Sequence, residues 1–465
     1  MRARSRLARG VVPALAVLAA GVGLLAGCAT HGQQRAAMQQ ALVGRDYAAA
    51  LAALDRQGAD PQDVLYLLDR GLLLHYLERY DESNEAFEAA EIRIQDLYTK
   101  SLSKQAVALV TSDVAIPYDG APFERALIPY YRLLNYLLQG NLEDALVECR
   151  KANLFLATLA TKVEGEATAY QDDAFLQYLT ALLYEDAGEW NDAWVSLRRA
   201  ETAYARYAEV FGVPPPLTLG GDLRRLAREL GYRDDHEIYR ARYPDAGEAL
   251  PPGHGELIVL FENGLAPVKE EIDLTLPILK GERDRYREAD AFARVLAGRA
   301  VGYTYEPAEL DYLLRVAIPE LRRRPPLVRS AEVEAGGVVG RTVVVEDVAA
   351  LSAAALAETM PRILLKTVLR GLTKYLGSRW VEKETGEIGG LLANLLTAAS
   401  ERADTRGWIS LPDHIQMARL VLPAGEQTVN LRFLDGDGYE VAVARVDSVE
   451  IRPGRRAYLA WREWE

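Results

Sequence analysis

Residues 188–200 read GEWNDAWVSLRRA, and this stretch decides the fold of the first half of the chain. A polar turn leads to an aromatic residue (Trp190), then to an alanine three residues on (Ala193) and an apolar residue four further (Leu197). Positions three and four apart share one face of an α-helix, so the small residue admits a neighbouring helix and the larger ones pack beside it. The stretch therefore predicts the turn and second helix of a helical hairpin.

The pattern occurs three more times, at residues 44–54, 78–87 and 140–149, with Leu142 in place of the aromatic residue in one segment and Ser83 in place of the alanine in another. Apolar partner helices are predicted upstream of the turns, at residues 64–77, 127–138 and 175–184. These features resemble tetratricopeptide repeats, which are helix-turn-helix units of 34 residues. Tyr47 and Tyr80 are 33 residues apart, whereas the later turns are spaced more widely, so insertions interrupt the array. An unrelated helical bundle is the alternative interpretation.

Composition shifts toward β-structure in the second half. Residues 256–261 form a run of Leu, Ile, Val and Phe that ends near Asn263-Gly264, a turn dipeptide. Further short strand-like runs occur at residues 269–276, 341–345, 416–422, 429–433, 439–446 and 457–461. Short strands with Gly-rich turns predict a small sandwich. A helical pattern from about 348 to 403 is too long for a loop and predicts an insertion lying against the sheet.

The predicted fold class is α+β: an α-helical solenoid resembling tetratricopeptide repeats, then a β-rich, sandwich-like domain with that helical insertion. The predicted boundaries are 1–27 for a signal peptide, 28–207 for the repeats, 208–252 for a Pro-containing helical connector and 253–465 for the β-rich domain.

The first 27 residues have the order of a bacterial signal peptide. Four arginines precede an uncharged apolar run from Val11 to Leu25, which is short for a membrane span. The run closes with Leu25-Ala26-Gly27-Cys28, which resembles the lipobox of bacterial lipoproteins. That resemblance implies cleavage before Cys28 and attachment of lipids (diacylglyceryl and palmitate) to its thiol. An uncleaved anchor with a chance cysteine is the alternative.

The resemblance also implies a location. Ala29, and not Asp, follows the cysteine, which in Gram-negative sorting favours the outer membrane, with the protein facing the periplasm. Loss of the four arginines would take the formal charge from −13 to about −17. Such a protein is a poor binder of nucleic acid. The other cysteine, Cys149, falls in an apolar helical pattern and is predicted to be a core residue.

The sequence gives little support for catalysis. The five histidines lack ligand spacing, and metalloprotease, hydrolase-elbow, phosphate-loop and CxxC motifs are absent. We therefore predict that the protein is not an enzyme and that it uses no metal or cofactor. Asp435-Gly436-Asp437-Gly438 does not continue as a calcium loop and predicts a hairpin turn.

Two sets of residues are candidates for binding. Tyrosine suits binding surfaces because it offers area and a hydroxyl at little entropic cost. The tyrosines of the repeats predicted to bind a partner are Tyr130, Tyr131, Tyr136, Tyr178 and Tyr184. In the helix after Pro361, basic residues four apart form one stripe that could contact an anionic surface or an acidic partner: Arg362, Lys366, Arg370 and Lys374. In both cases ordinary packing or solvation is the alternative.

Nearly the whole mature chain resembles an uncharacterised family of proteobacterial outer-membrane lipoproteins with tetratricopeptide-like repeats and a β-rich carboxy-terminal region. The residues that carry the likeness are GELIV at 255–259 with Asn263-Gly264, and ADTRGW at 403–408 before Leu411-Pro412. Some members are encoded beside lipoproteins that activate peptidoglycan synthases, which implies a role in the envelope. Within the last motif, Asp404 and Arg406 are predicted to pair, and Trp408 to anchor the helical insertion.

These observations favour a lipid-anchored scaffold that binds an envelope protein through the groove of its repeats. One alternative is a glycan- or peptidoglycan-binding protein that stacks Trp408, Trp461 and Trp464 on sugar rings. Another, less favoured, is an envelope hydrolase, whose structural sign would be a pair of buried carboxylates with shifted pKa values in a cleft.

Overall fold

The computed structural model of the chain describes residues 31–56, 60–101, 116–162, 170–244, 250–279, 310–385 and 402–464. These residues form three layers: an array of helical hairpins, a central four-stranded sheet and a second four-stranded sheet.

The described helices of the array form five consecutive antiparallel hairpins. They are α1 (His31–Val43) with α2 (Tyr47–Asp55), α3 (Val64–Tyr76) with α4 (Tyr80–Ser101), α5 (Pro122–Leu138) with α6 (Leu142–Lys162), α7 (Ala174–Asp186) with α8 (Trp190–Val210), and α9 (Leu217–Glu229) with α10 (Arg233–Arg242). Four of them carry the repeat pattern seen in the sequence, and successive hairpins pack on each other, so the first half is TPR-like.

Each hairpin turns through one residue with positive φ. Gly140 (φ 75°) and Gly188 (φ 78°) take this conformation without strain, whereas Arg45 and Glu78 adopt it at the equivalent places. A small residue also lies where α3 and α4 cross. A Cβ on Gly71 would come within 2.7 Å of the Phe87 ring, so only glycine lets α3 and α4 approach this closely.

The described strands form three sheets. They are β1 (His254–Asn263), β2 (Val268–Leu279), β3 (Leu310–Arg322), β4 (Ser330–Ala335), β5 (Val338–Arg341), β6 (Val343–Glu346), β7 (His414–Pro423), β8 (Gly425–Leu434), β9 (Glu440–Ile451) and β10 (Arg456–Glu463). The central sheet has the order β10-β1-β7-β6 and the outer sheet β5-β4-β8-β9, while β2 and β3 pair as a long antiparallel arm. The last of the described helices, α11 (Val348–Thr385), packs against β3.

The central sheet is buried on both faces. In β1, Leu257, Val259 and Phe261 pack toward the outer sheet, which is the predicted sandwich core. Ile258 and Leu260 point the other way and join the core of the helical array. This double burial explains why β1 reads as an uninterrupted apolar run and not as an alternating one.

Two predictions about the elements need revision, and a third is confirmed in part. The stretch 208–252 holds more than a connector, because α9 and α10 form a fifth hairpin that turns at Gly231 (φ 76°). The strands β3 and β4 lie where no strand was predicted. The helical insertion is present as α11, and the remainder of the predicted insertion, residues 386–401, lies outside the described residues.

Candidate binding groove

The groove of the helical array is filled by the chain's own central sheet. Tyr130, Tyr131 and Tyr178 are fully buried. The Tyr130 hydroxyl donates to Glu262 Oε1 on β1 (3.1 Å), and the Tyr178 hydroxyl meets the Arg419 guanidinium of β7. Tyr184 is buried among the helices, and Tyr136 is half-buried. A partner-binding role needs exposed side chains, and four of the five predicted tyrosines lack them in this arrangement.

One end of the helix–sheet junction is a buried ion-pair network. Arg419 pairs with Asp222 of α9, and its Nε lies 2.7 Å from Glu256 Oε1 of β1. Arg456 of β10 pairs with Asp186 of α7 (2.8 Å) and with Glu256 (3.0 Å). Each of these five side chains is at most 12% exposed, so the network fixes the sheet on the helices with little screening by solvent.

The opposite end is held by hydrogen bonds around Glu262. Its carboxylate accepts from the hydroxyls of Tyr76 (2.6 Å) and Tyr130 (3.1 Å). Arg462 of β10 lies over the Trp464 ring, 4.0 Å from its centroid, and Trp464 Nε1 donates to the Tyr47 hydroxyl (3.2 Å). These contacts dock the first two hairpins on the end of the chain.

A pair of buried carboxyls with shifted pKa values lies between α7, α8 and β6. Burial raises the pKa of Asp173 to about 6, and burial together with the charge of Asp173 raises the pKa of Glu346 well above its ordinary value. Asp173 caps α7 by accepting from Leu176 N (2.7 Å), and Glu346 Oε1 accepts from the Tyr207 hydroxyl (3.4 Å). Neither carboxyl is among the residues that line the groove defined below, although Tyr170, which lines it, donates its hydroxyl hydrogen to Asp173 Oδ2 (2.8 Å).

The segment before β7 connects three parts of the molecule. Arg406 and Asp404 form the predicted pair, with Nη2 2.7 Å from Oδ2. Trp408 is buried and packs between Phe87 and Tyr131, with ring centroids 5.8 Å away in both cases. It therefore anchors this segment in the helical array, more deeply than the sequence predicted.

Beside this segment lies a cavity of about 640 Å³, here called the α11 groove. Its walls are the start of α5 with the residues before it, the inner face of α11, the base of the β2–β3 arm and residues 402–409. Apolar side chains such as Phe123, Leu356 and Ile363 contribute to its lining. Along α11 the lining carries two basic residues, Arg362 and Lys366, and one acidic residue, Glu358. Apolar lining with a few charged groups is typical of binding sites.

The predicted basic stripe of α11 is thus divided. Arg362 is exposed and Lys366 half-buried, and both line the groove. Arg370 is buried and donates to the Thr367 hydroxyl (3.3 Å), so it is not part of an accessible stripe. The side chain of Lys374 lies outside the described residues. Sequence spacing identified the stripe, but the cavity beside it depends on contacts with α5 and β3 that the sequence did not reveal.

Among the described residues, one helical segment is long and apolar enough to cross a membrane, judged by length and composition. It is Val348–Arg370 of α11, with 23 residues; its most apolar 18-residue window has a mean hydropathy of 1.4 and is 17% buried.

The tryptophans predicted to stack on sugar rings are largely inside the molecule. Trp408 and Trp464 are 1% and 3% exposed, and Trp461 is half-buried in the sandwich core. Cys149 is fully buried, as predicted, and burial raises the pKa of its thiol to about 12. The predicted signal peptide and Cys28 lie outside the described residues.

Comparison with known proteins matches the chain to solved structures. No protein-family profile and no curated protein matches the chain. Solved structures that are similar include MamA, 13% identical over 45% of this chain and 93% of that one, with a TM-score of 0.29. PilW, described as a widely conserved type IV pilus biogenesis factor, is 19% identical over 45% and 90%, with a TM-score of 0.22. TM-scores this low do not define the class of the protein. The class is therefore taken from the structure itself, which is a TPR-like helical array packed on a β-sandwich.

Proposed function

We propose that the protein is a lipid-anchored scaffold of the bacterial envelope that holds a segment of a protein partner in the α11 groove. The cavity of about 640 Å³ carries this proposal. The groove combines apolar walls with a charged rim, whereas the central sheet covers the face of the array that carries Tyr130 and Tyr178. The helical array then acts as the rigid support of the site.

The anchor in this proposal is Cys28, lipidated after cleavage of the signal peptide, with the protein facing the periplasm from the outer membrane. The lipobox-like Leu25-Ala26-Gly27-Cys28 and the following Ala29 support it. Two or more acyl chains hold a protein stably on a bilayer, whereas one chain does not. Mass spectrometry of the amino-terminal peptide tests this part: the expected species begins at a diacylated Cys28, and an unmodified Met1 species would exclude it.

The chemistry of the groove favours an apolar partner segment with acidic residues. Leu356 and Ile363 offer apolar contact, while Arg362 and Lys366 stand beside them on the same wall. Complementary charge steers association and sets the register of a bound segment. The glycan alternative has less support, because the tryptophans it relied on are buried or half-buried. That the protein is not an enzyme stays a prediction.

Photo-crosslinking in intact cells tests the groove. A photoreactive amino acid replaces Leu356 inside the groove, and the matched control replaces Leu154, which is 69% exposed on α6 and does not line the groove. We expect one protein adduct from the groove position and none from the control. The adduct should fall at least about tenfold in Arg362→Glu/Lys366→Glu, since two attractive contacts become repulsive.

A second control separates groove charge from general charge. Arg240→Glu changes an exposed arginine of α10 that pairs with Glu237 and lies outside the groove. This variant should keep the adduct. Equal adducts from both photoreactive positions, or an adduct unaffected by the double charge reversal, would exclude the groove as the partner site.

A further inference from the structure

A second cavity, of about 710 Å³, lies beside the buried ion-pair network of the helix–sheet junction. The turns between α5 and α6, between α7 and α8 and between β9 and β10 meet there, and the described residues that line it differ from those of the α11 groove. It is here called the turn cavity, and its lining includes Glu185, Asp186, Gly188, Trp190, Arg455 and Arg456.

Trp190, the first residue of α8, supplies the aromatic part of this lining. It is 43% exposed, whereas Trp194, Trp408 and Trp464 are at most 7% exposed. An accessible indole offers a broad apolar surface with one polar N–H at its edge, which suits a ligand that has an apolar face. Trp190 is not one of the tryptophans that the sequence predicted to stack on sugar rings.

The charged part of the lining is balanced. Two carboxylates and two guanidinium groups contribute to it, from Glu185, Asp186, Arg455 and Arg456. Arg456 holds both carboxylates, with Nη2 3.0 Å from Glu185 Oε1 and Nη1 2.8 Å from Asp186 Oδ1. These three side chains are at most 12% exposed. Because the charges cancel, the turn cavity has no net charge to attract an anion or a cation.

Both acceptors and donors keep hydrogen-bonding capacity. A carboxylate can accept about four hydrogen bonds. The described partners of the Asp186 carboxylate are Arg456 and the Tyr458 hydroxyl, which donates to Oδ2 (2.7 Å). Arg455 is exposed, and its Nη1 donates to the Asp186 carbonyl (3.0 Å), which uses one of about five guanidinium donors. A ligand with groups that both donate and accept fits this arrangement.

We propose that the turn cavity binds a neutral saccharide, with one sugar ring stacked on Trp190 and its hydroxyls hydrogen-bonded to Asp186 and Arg455. A pyranose has a face of C–H bonds that can pack on an indole, and its hydroxyls both donate and accept. A charged sugar fits less well, because it would lose hydration without a counter-charge to replace it. The volume lies within the range of small-molecule sites, about 300–1,000 Å³. This site is independent of the α11 groove and of the lipid anchor.

Isothermal titration calorimetry tests the site with trisaccharides of different charge. The full chain is purified in a detergent without a sugar headgroup. Cellotriose and N-acetylated chitotriose are the neutral probes, trigalacturonate is the anionic probe and deacetylated chitotriose is the cationic probe. We expect a neutral probe to bind one molecule per chain, at least about tenfold more tightly than either charged probe. Absence of binding by both neutral probes, or tighter binding of a charged probe, would overturn the inference.

Variants assign the binding to the turn cavity. Trp190→Ala should weaken the neutral probe at least about tenfold, and Trp190→Phe by less than about threefold, because an aromatic ring remains. Arg455→Gln removes a charged donor on an exposed turn and should weaken binding by about three- to tenfold. It keeps the test valid if Trp190→Ala does not fold. The matched control is Tyr439→Ala, at an aromatic residue that is 72% exposed and lies outside the cavity, and it should bind as the wild type does.

Two results with these variants would also contradict the inference. One is unchanged affinity in both Trp190→Ala and Arg455→Gln, and the other is an equal loss in Tyr439→Ala. Arg362→Glu/Lys366→Glu should leave saccharide binding unchanged, since neither residue lines the turn cavity. Failure of the saccharide site is thereby distinguished from failure of the protein-binding groove.

Discussion

Replacing Arg419 by methionine removes the centre of the buried network that joins the helices to the sheet. The methionine keeps much of the apolar stem but leaves Asp222 and Glu256 without their shared guanidinium. Both carboxylates are at most 7% exposed, so water replaces the lost contacts poorly. The variant therefore tests whether the helix–sheet junction contributes to stability as the geometry indicates.

The expected loss of stability depends on the ion pairs that Asp222 and Glu256 keep in the variant. Removing one partner of a buried ion pair costs about 3–5 kcal/mol. Here Asp222 keeps Arg225 at 3.2 Å, and Glu256 keeps Arg456 at 3.0 Å. We therefore expect the lower end, a decrease of about 3 kcal/mol in the free energy of unfolding at pH 7.

The effect should also depend on pH in one direction. Burial works to raise the pKa of Asp222, but the charge and hydrogen bond of Arg419 outweigh it and hold that pKa well below 3.8. A depressed carboxyl pKa stabilises the fold above the unfolded value and ceases to do so as the pH falls through the folded one. Without Arg419 the pKa of Asp222 rises, so the difference between wild type and variant should shrink below about pH 4.

Urea unfolding followed by circular dichroism and tryptophan fluorescence measures this loss. Arg240→Met, at an exposed pair on α10, is the control and should change stability by less than about 0.5 kcal/mol. Arg419→Met/Asp222→Asn should recover part of the loss, because it removes one of the carboxylates left without Arg419. A loss below about 1 kcal/mol in Arg419→Met, or a double variant as unstable as the sum of the single ones, would refute the reasoning.

Three further outcomes follow from single positions. Burial raises the pKa values of Asp69 and Asp173 from 3.8 to about 6, so these carboxyls bind protons more tightly in the folded state. Their contribution should stabilise the fold as pH falls from 7 to 4, by up to about 3 kcal/mol each, and Asp→Asn at either position should flatten the slope in urea titrations. Gly71→Ala should cost about 1–3 kcal/mol in the same assay, since its Cβ meets the Phe87 ring at 2.7 Å. Cys149 should react with maleimide only as fast as the protein unfolds, because the thiol is buried.

The helical hairpins could be predicted because their signals are local. Gly188, Trp190 and Ala193 lie within six residues, and the turn and crossing they specify form without reference to the rest of the chain. The sheet order could not be predicted in this way. In the central sheet β1 pairs in parallel with β10, which joins Glu256 to Arg456 across 200 residues, and no local pattern fixes such a partner.

The packing of the central sheet on the helical array is indicated by charged residues within the apolar strands. Glu256 and Glu262 flank Ile258 and Leu260 at even spacing, so all four residues share one face of β1. Arg419 in β7 and Arg456 in β10 are likewise charged residues within apolar strands. Charges on a buried strand face need partners on whatever covers that face. The tyrosines of the repeats gave no such signal. A high tyrosine content is expected both when these side chains bind a partner and when they pack on the chain's own sheet.

This packing changes how the protein has to be tested. In an open solenoid each repeat contacts only its neighbours, and terminal repeats can be removed with limited damage. Here the first two hairpins pack on Leu265 and Trp464, and the later ones share a core with Ile258 and Met417. Deleting a repeat would expose the central sheet, so loss of a partner from such a deletion would report unfolding and not the position of a binding site. Point changes on α11, with matched changes on α6 and α10, keep the junction intact and so separate binding from folding.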